Sequence, residues 1–166
     1  MTTLQGMKRA EQAIEGATLI RLWGSIPCTG GSPWQNFNKK FPGHKEKMKG
    51  HLAQFNSLWD NFAKLAKNVY QKGGTISLEW PTQCAYWSYQ KVNDLLKEID
   101  MNKARMHGCE LGLISEKEGR PILKQWTVAT NDWYIYNNLS SRLSRKACRT
   151  RHLCRIRHQK NRRIYG

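Results

Sequence analysis

Two residues of this chain could do chemistry together. Cys28 lies in Ile26-Pro27-Cys28-Thr29-Gly30-Gly31-Ser32, where an apolar run empties into a glycine-bearing loop. A thiol at a strand end, beside glycine-supplied amides and a helix start, can have a lowered pKa and act as a nucleophile. The plainer reading of Cys28 is a small buried hydrophobe. Glu79 lies in Leu78-Glu79-Trp80-Pro81, a carboxylate inside an otherwise apolar segment. Such a group is costly unless it has partners or work. The plainer reading of Glu79 is a strand-end residue that faces solvent or pairs with a lysine.

The elements between them decide whether they meet. Leu19 to Ile26 is apolar with one charge and reads as a buried strand. Pro27–Phe41 is a loop broken by Gly30, Gly31 and Pro33. From His44 to Lys72, Met48, Leu52, Phe55, Trp59, Phe62, Leu65, Ala66 and Val69 recur at spacings of three and four. That is one face of a long amphipathic helix, stopped by Gly73-Gly74. Thr75 to Pro81 is a second strand. Strand, helix, strand is a βαβ unit with parallel strands. Both carboxyl ends, and so Cys28 and Glu79, then fall on one edge of the sheet.

The rest of the chain adds smaller elements. Tyr86–Ile99 reads as a second helix. Lys103–Leu113 and Pro121–Thr130 read as strands paired in a hairpin around the charged turn Ser115–Arg120. Asn131-Asp132 can cap a helix over Trp133–Leu143. Trp80, Tyr86, Trp87 and Tyr89 could form a stacking wall for a base, but packing between sheet and helix is the favoured reading. The expected fold is α/β: a partial Rossmann-like, mostly parallel sheet with a long amphipathic helix and a disordered basic C-terminal tail. Its parts are a leader over residues 1–18, the α/β domain over 19–143, and the tail over 144–166.

Charge separates the tail from the body. The 166 residues carry a formal net charge of +16. Residues 141–166 contain ten Lys and Arg and no acid, whereas the other 140 residues carry 18 basic and 12 acidic side chains. Such a tail implies a polyanion partner or simply a solvated tail. DNA or RNA is the expected partner, through Arg142, Arg145, Lys146, Arg149, Arg151, Arg155, Arg157, Arg162 and Arg163. Cys148, His152, Cys154 and His158 match no zinc-knuckle spacing, so no metal is expected. Five cysteines without an apolar leader read as reduced thiols in an intracellular protein, nuclear or cytoplasmic. No apolar run is long enough to cross a membrane.

The Ile26-Pro27-Cys28 strand end, the helix and the Leu78-Glu79-Trp80-Pro81 strand end together resemble the core of the cytosine-C5 DNA methyltransferases. In that family a Pro-Cys loop and a Glu-Asn-Val strand end lie on consecutive strands. The resemblance implies that Cys28 matches the nucleophile and Glu79 the base-binding acid. Gly30, Gly31, Ser32, Trp80 and Lys124 would then line the substrate. The chain departs from the family at Thr29, at Trp80-Pro81 and in lacking Arg-x-Arg, for which Lys124 is the nearest basic residue. Only 18 residues precede Leu19, so the S-adenosylmethionine-binding half is expected to be missing. No cofactor is then expected in this chain unless an upstream half supplies it, and methyl transfer by the chain alone is not expected. In wording, Ile-Pro-Cys-Thr-Gly-Gly-Ser-Pro-Trp-Gln, Leu-Glu-Trp-Pro and Lys-x-Trp-x-Val-Ala-Thr resemble uncharacterised segments of dinoflagellate retroelement-type polyproteins, over about residues 19–143. Three readings follow as expectations: an inactive methyltransferase-like retroelement fragment, a non-catalytic nucleic-acid-binding module, or an expressed relic with no selected role.

Overall fold

The computed structural model describes residues 3–140. The arginine-rich tail, with every tail residue named above, lies outside the described residues.

The first element begins where the sequence pattern is weakest. Helix α1 (Leu4–Glu15) is capped by Thr3, whose side chain accepts from the Gly6 amide. Met7 and Ile14, two turns apart, are buried in the core. The stretch expected to be a leader thus supplies part of that core. Strand β1 (Arg21–Gly24) leads into a 3-10 turn over Thr29–Gly31 and the short helix α2 (Trp34–Asn38). The 28-residue helix α3 (His44–Gln71) follows. Gly43 holds its start in the left-handed region, with φ of 73°. Strand β2 (Thr75–Pro81), a 3-10 turn over Ala85–Ser88, helix α4 (Gln90–Glu98), strand β3 (Asn102–His107) and strand β4 (Gln125–Thr130) complete the named elements. Residues 133–140 are helical, started by the Asp132 carboxylate, which accepts from the amides of Tyr134 and Ile135.

The four strands form one mixed sheet in the order β1-β2-β4-β3. β1 and β2 are parallel, with Gly24 beside Leu78, as the βαβ reading expects. β4 runs antiparallel to both of its neighbours. The hairpin expectation for the last two strands holds, but the sheet is mixed rather than mostly parallel in its pairings. β4 is antiparallel to β3 because the return between them has no crossover α-helix, and on its other side it pairs with β2. β3 is also shorter than expected. It ends at His107, and Gly108 opens a 3-10 turn in which an added Cβ would meet Leu113 and Trp126.

Strand alternation divides the sheet into two faces. Ile76, Leu78, Trp80 and Ala129 join Phe55, Trp59, Phe62, Leu65 and Val69 of α3 and Val92, Leu95 and Leu96 of α4 in one core. The opposite face carries Ser77, Glu79, Thr130, Val128, Ala104 and Met106 by register. There the Ser77 and Thr130 hydroxyls hydrogen-bond at 2.9 Å, and Val128 and Ala104 are buried outside the main core.

Candidate functional site

The parallel β1–β2 pair carries the chain past Gly24 and Leu78 on the same edge, and the two expected groups arrive there. Their neighbours differ. Glu79, half-buried, belongs to the face away from the helices, and its carboxylate accepts from the Ser25 hydroxyl at 3.1 Å. Cys28 is half-buried and packs against the helix-side core. Its carbonyl accepts from the Gly31 amide at 2.9 Å, which closes the 3-10 turn.

The glycines of that turn serve close packing. A Cβ on Gly31 would lie 2.8 Å from the Cys84 thiol and 3.0 Å from the Tyr86 ring, and one on Gly30 would strike the Tyr86 hydroxyl. Ser32 accepts from the Trp34 amide at 3.3 Å and so starts α2. Trp80 is buried and donates to the Ile26 carbonyl at 2.7 Å, which locks the loop onto the sheet. Tyr86 is fully buried and stacks on Phe55, with centroids 3.8 Å apart. Trp80 and Tyr86 are thus packing elements rather than an open wall. Lys124 lies near the same end of the sheet, its ammonium 4.5 Å from the centre of the Trp126 ring. The structure brings Cys28, Glu79 and Lys124 to one end of the sheet but gives each a separate partner.

The electrostatics beneath the loop favour neutral groups. Burial pushes the Cys84 thiol up to about 11, and the neighbouring Cys28 adds to the rise while the Tyr86 amide opposes it. Burial also pushes the Tyr86 phenol up to about 12, with Tyr89, Cys84 and Cys28 adding to the rise. The Gly30 amide tempers it, yet does not reach hydrogen-bond geometry, so the hydroxyl is without a partner. A thiol held this high is inert at neutral pH.

Two features stand outside the expected site. Glu110 has its side chain 2% exposed, with neither carboxylate oxygen hydrogen-bonded and His107 Nδ1 3.5 Å away. The i, i+3 spacing of His107 and Glu110 was the available sequence signal. The second feature is the corner between α2 and α3. Trp34, Phe37 and Phe41 are 73%, 54% and 52% exposed, yet their rings touch in series at centroid separations of 6.4 and 6.0 Å. Lys40 places its ammonium 3.9 Å from the centre of Phe37. These aromatics are three and four residues apart, with Lys39 and Lys40 between Phe37 and Phe41, inside a segment whose Gly and Pro content predicts a loop.

No family model matches the chain, and neither a curated protein nor a solved structure matches it. Among the described residues no group of three or more His, Cys, Asp or Glu could hold a metal ion. No helix among them is long and apolar enough to cross a membrane.

Proposed function

We propose that the chain is a non-catalytic nucleic-acid-binding module built on an α/β body. The observation that carries this reading is the distribution of ion pairs. Lys64, Lys67 and Lys91 meet Glu11, Glu98 and Asp60 at 2.7, 2.7 and 3.5 Å. Around the start of α3 only Lys49 has such a partner, Glu46 at 3.2 Å. Lys39, Lys40, Lys45 and Lys47 make no salt bridge among the described residues. Along α3 the lysines of the packed half are therefore matched, whereas Lys45 and Lys47 at its start and Lys39 and Lys40 before it are not. Uncompensated lysines bind phosphate backbones through counterion release. The arginines of residues 142–163 would add a second, sequence-independent attraction to DNA or RNA.

The test is fluorescence anisotropy of the full chain with labelled oligonucleotides across a salt series. The expected result is an affinity that falls linearly in log–log form with salt, one released counterion for roughly each phosphate contacted. Absence of binding at low salt would overturn the reading.

A second reading is favoured by the Ser25–Glu79 hydrogen bond and the parallel β1–α3–β2 unit. In it the chain is a methyltransferase-like, Rossmann-like half that retains the Cys28 and Glu79 edge of a cytosine-modifying site. Gly30 and Gly31 do not fit a cofactor cradle, because Tyr86 and Cys84 fill the space above them. S-adenosylmethionine would have to be held by other residues. Both readings belong to an intracellular, retroelement-derived segment. Alkylation of Cys28 faster than that of a free thiol at neutral pH supports the second reading, and an ordinary rate removes it.

A further inference from the structure

We infer that the corner formed by α2 and the first turn of α3 is a stacking site for single-stranded nucleic acid. The inference rests on the nucleic-acid reading above and adds to it the place of contact and the form of the strand.

Three aromatic rings in one exposed cluster are unusual, because large apolar side chains are normally withdrawn from water. Trp34, Phe37 and Phe41 are each more than half exposed. They are nonetheless held in place. The Gln35 side chain donates to the Thr29 carbonyl at 2.9 Å, and the Trp34 amide donates to Ser32 Oγ. The Phe41 carbonyl accepts from the His44 amide at 3.3 Å, which joins the corner to α3. The platform is therefore presented by the fold. It carries its own cations: Lys40 lies over Phe37 and 5.6 Å from the centre of Phe41.

The charge at the start of α3 points the same way. A helix N-terminus favours acids and opposes cations. Here Lys45 and Lys47 occupy the opening turns, with Glu46 as the acid in the first turn. Glu46 meets the dipole's preference, and the two lysines beside it add positive charge next to the rings. Rings that stack bases, flanked by cations that follow phosphates, are the elements of single-strand recognition. A duplex buries its base faces within its own stack and cannot use the rings. A second copy of this cationic chain could cover the rings but would set lysines against lysines, so a nucleic-acid strand fits the charge better.

The experiment uses the full chain and its W34A/F37A/F41A variant. The probes are labelled oligo(dT), oligo(rU) and a matching DNA duplex at one fixed salt concentration. The expected result is a loss of single-strand affinity of about tenfold or more, with duplex affinity within about twofold of wild type. The deoxy and ribo arms show which strand the corner serves. All three rings are exposed, so the variant should keep its circular dichroism spectrum. Should it fail to fold, W34A alone, at the most exposed ring, must lower single-strand affinity at least threefold. Unchanged single-strand binding by a folded variant overturns the stacking site while leaving the nucleic-acid reading intact. If the wild-type chain binds no oligonucleotide, both fail. A wild-type dimer abolished by the triple substitution, with strand affinity unaltered, would assign the corner to self-association and also overturn the proposal.

Discussion

The two ends of α3 are made of similar residues and behave oppositely. From Phe55 to Val69 the helix buries six side chains, among them Trp59 and Phe62. From His44 to Gln54 it buries none fully; Met48 and Leu52 continue the same apolar stripe but are only half-buried, Leu52 at the edge of the core. At about 1.5 Å per residue that opening stretch is roughly 16 Å of helix with no fully buried side chain. Ion pairing follows the same division. Lys64 and Lys67 are matched by Glu11 of α1 and Glu98 of α4, whereas Lys45 and Lys47 have no carboxylate partner among the described residues. The stripe is thus necessary for burial but does not decide it. What decides it is whether a sheet lies opposite, and β1 and β2 lie opposite the C-terminal part of the helix.

The two ends should differ most in what a core truncation costs. Trp59→Ala or Phe62→Ala is expected to cost about 3–5 kcal/mol of unfolding free energy, from lost burial and the cavity left behind. Phe41→Ala at the other end should cost under about 0.5 kcal/mol, as exposed substitutions do. Urea unfolding of the variants measures both. A large cost for Phe41→Ala would mean that the corner is packed and that its exposure is not available to a ligand. Between these lies Gly24→Ala. An added Cβ would sit 2.5 Å from Phe62 Cε2, and overpacking of this kind costs about 1–3 kcal/mol.

How much of this was legible depends on how local the signal is. The period of α3 and the strand β2 were readable because one buried stripe and one β-rich run sufficed to define them. From their order followed the parallel pairing and the meeting of the Cys28 and Glu79 strand ends. Helix α1 was not readable, since its buried contacts are only Met7 and Ile14 and the residues between them are largely exposed. Which face of the sheet Glu79 takes depends on strand register, and its Ser25 partner lies 54 positions away. The aromatic corner was hidden for a different reason. Aromatic residues in sequence are weighed as core, and Pro33 and Pro42 mark the segment as a loop, so the exposure of Trp34, Phe37 and Phe41 appears only in three dimensions.

The junction between the two ends offers a pH test. Tyr86 stacks on Phe55, the first fully buried residue of α3, and shares its environment with Cys84. Both are acids whose folded pKa lies above the ordinary value, from 9.0 to about 11 for Cys84 and from 10.0 to about 12 for Tyr86. Their contribution to stability is therefore complete below about pH 9 and is lost as pH rises from there through 12. The melting temperature should be level to about pH 8.5 and then fall. Tyr86→Phe also removes a buried hydroxyl with no partner, so it should shallow the alkaline fall and cost little at pH 7. A fall as steep as that of wild type would show that the phenol ionises freely and that the junction is open to water.

The smallest expected effect separates the two ends most cleanly. Lys45 sits in the first turn of α3, where the helix dipole favours a negative charge. Lys45→Glu is expected to raise stability by about 0.3–1 kcal/mol at low salt, with the gain shrinking as salt screens it. Lys64→Glu, at the packed end, should instead lower stability, because it sets a carboxylate against Glu11 in place of an exposed ion pair worth about 0.2–1 kcal/mol. The two charge reversals are chemically identical and should move the denaturation midpoint in opposite directions. If Lys45→Glu gains stability and loses nucleic-acid affinity, the cation at that position is retained against the fold's own preference, and binding is the reason it is there. A loss of stability at both positions would mean that the helix start is tied down by contacts as the far end is, and the contrast between the two ends would collapse.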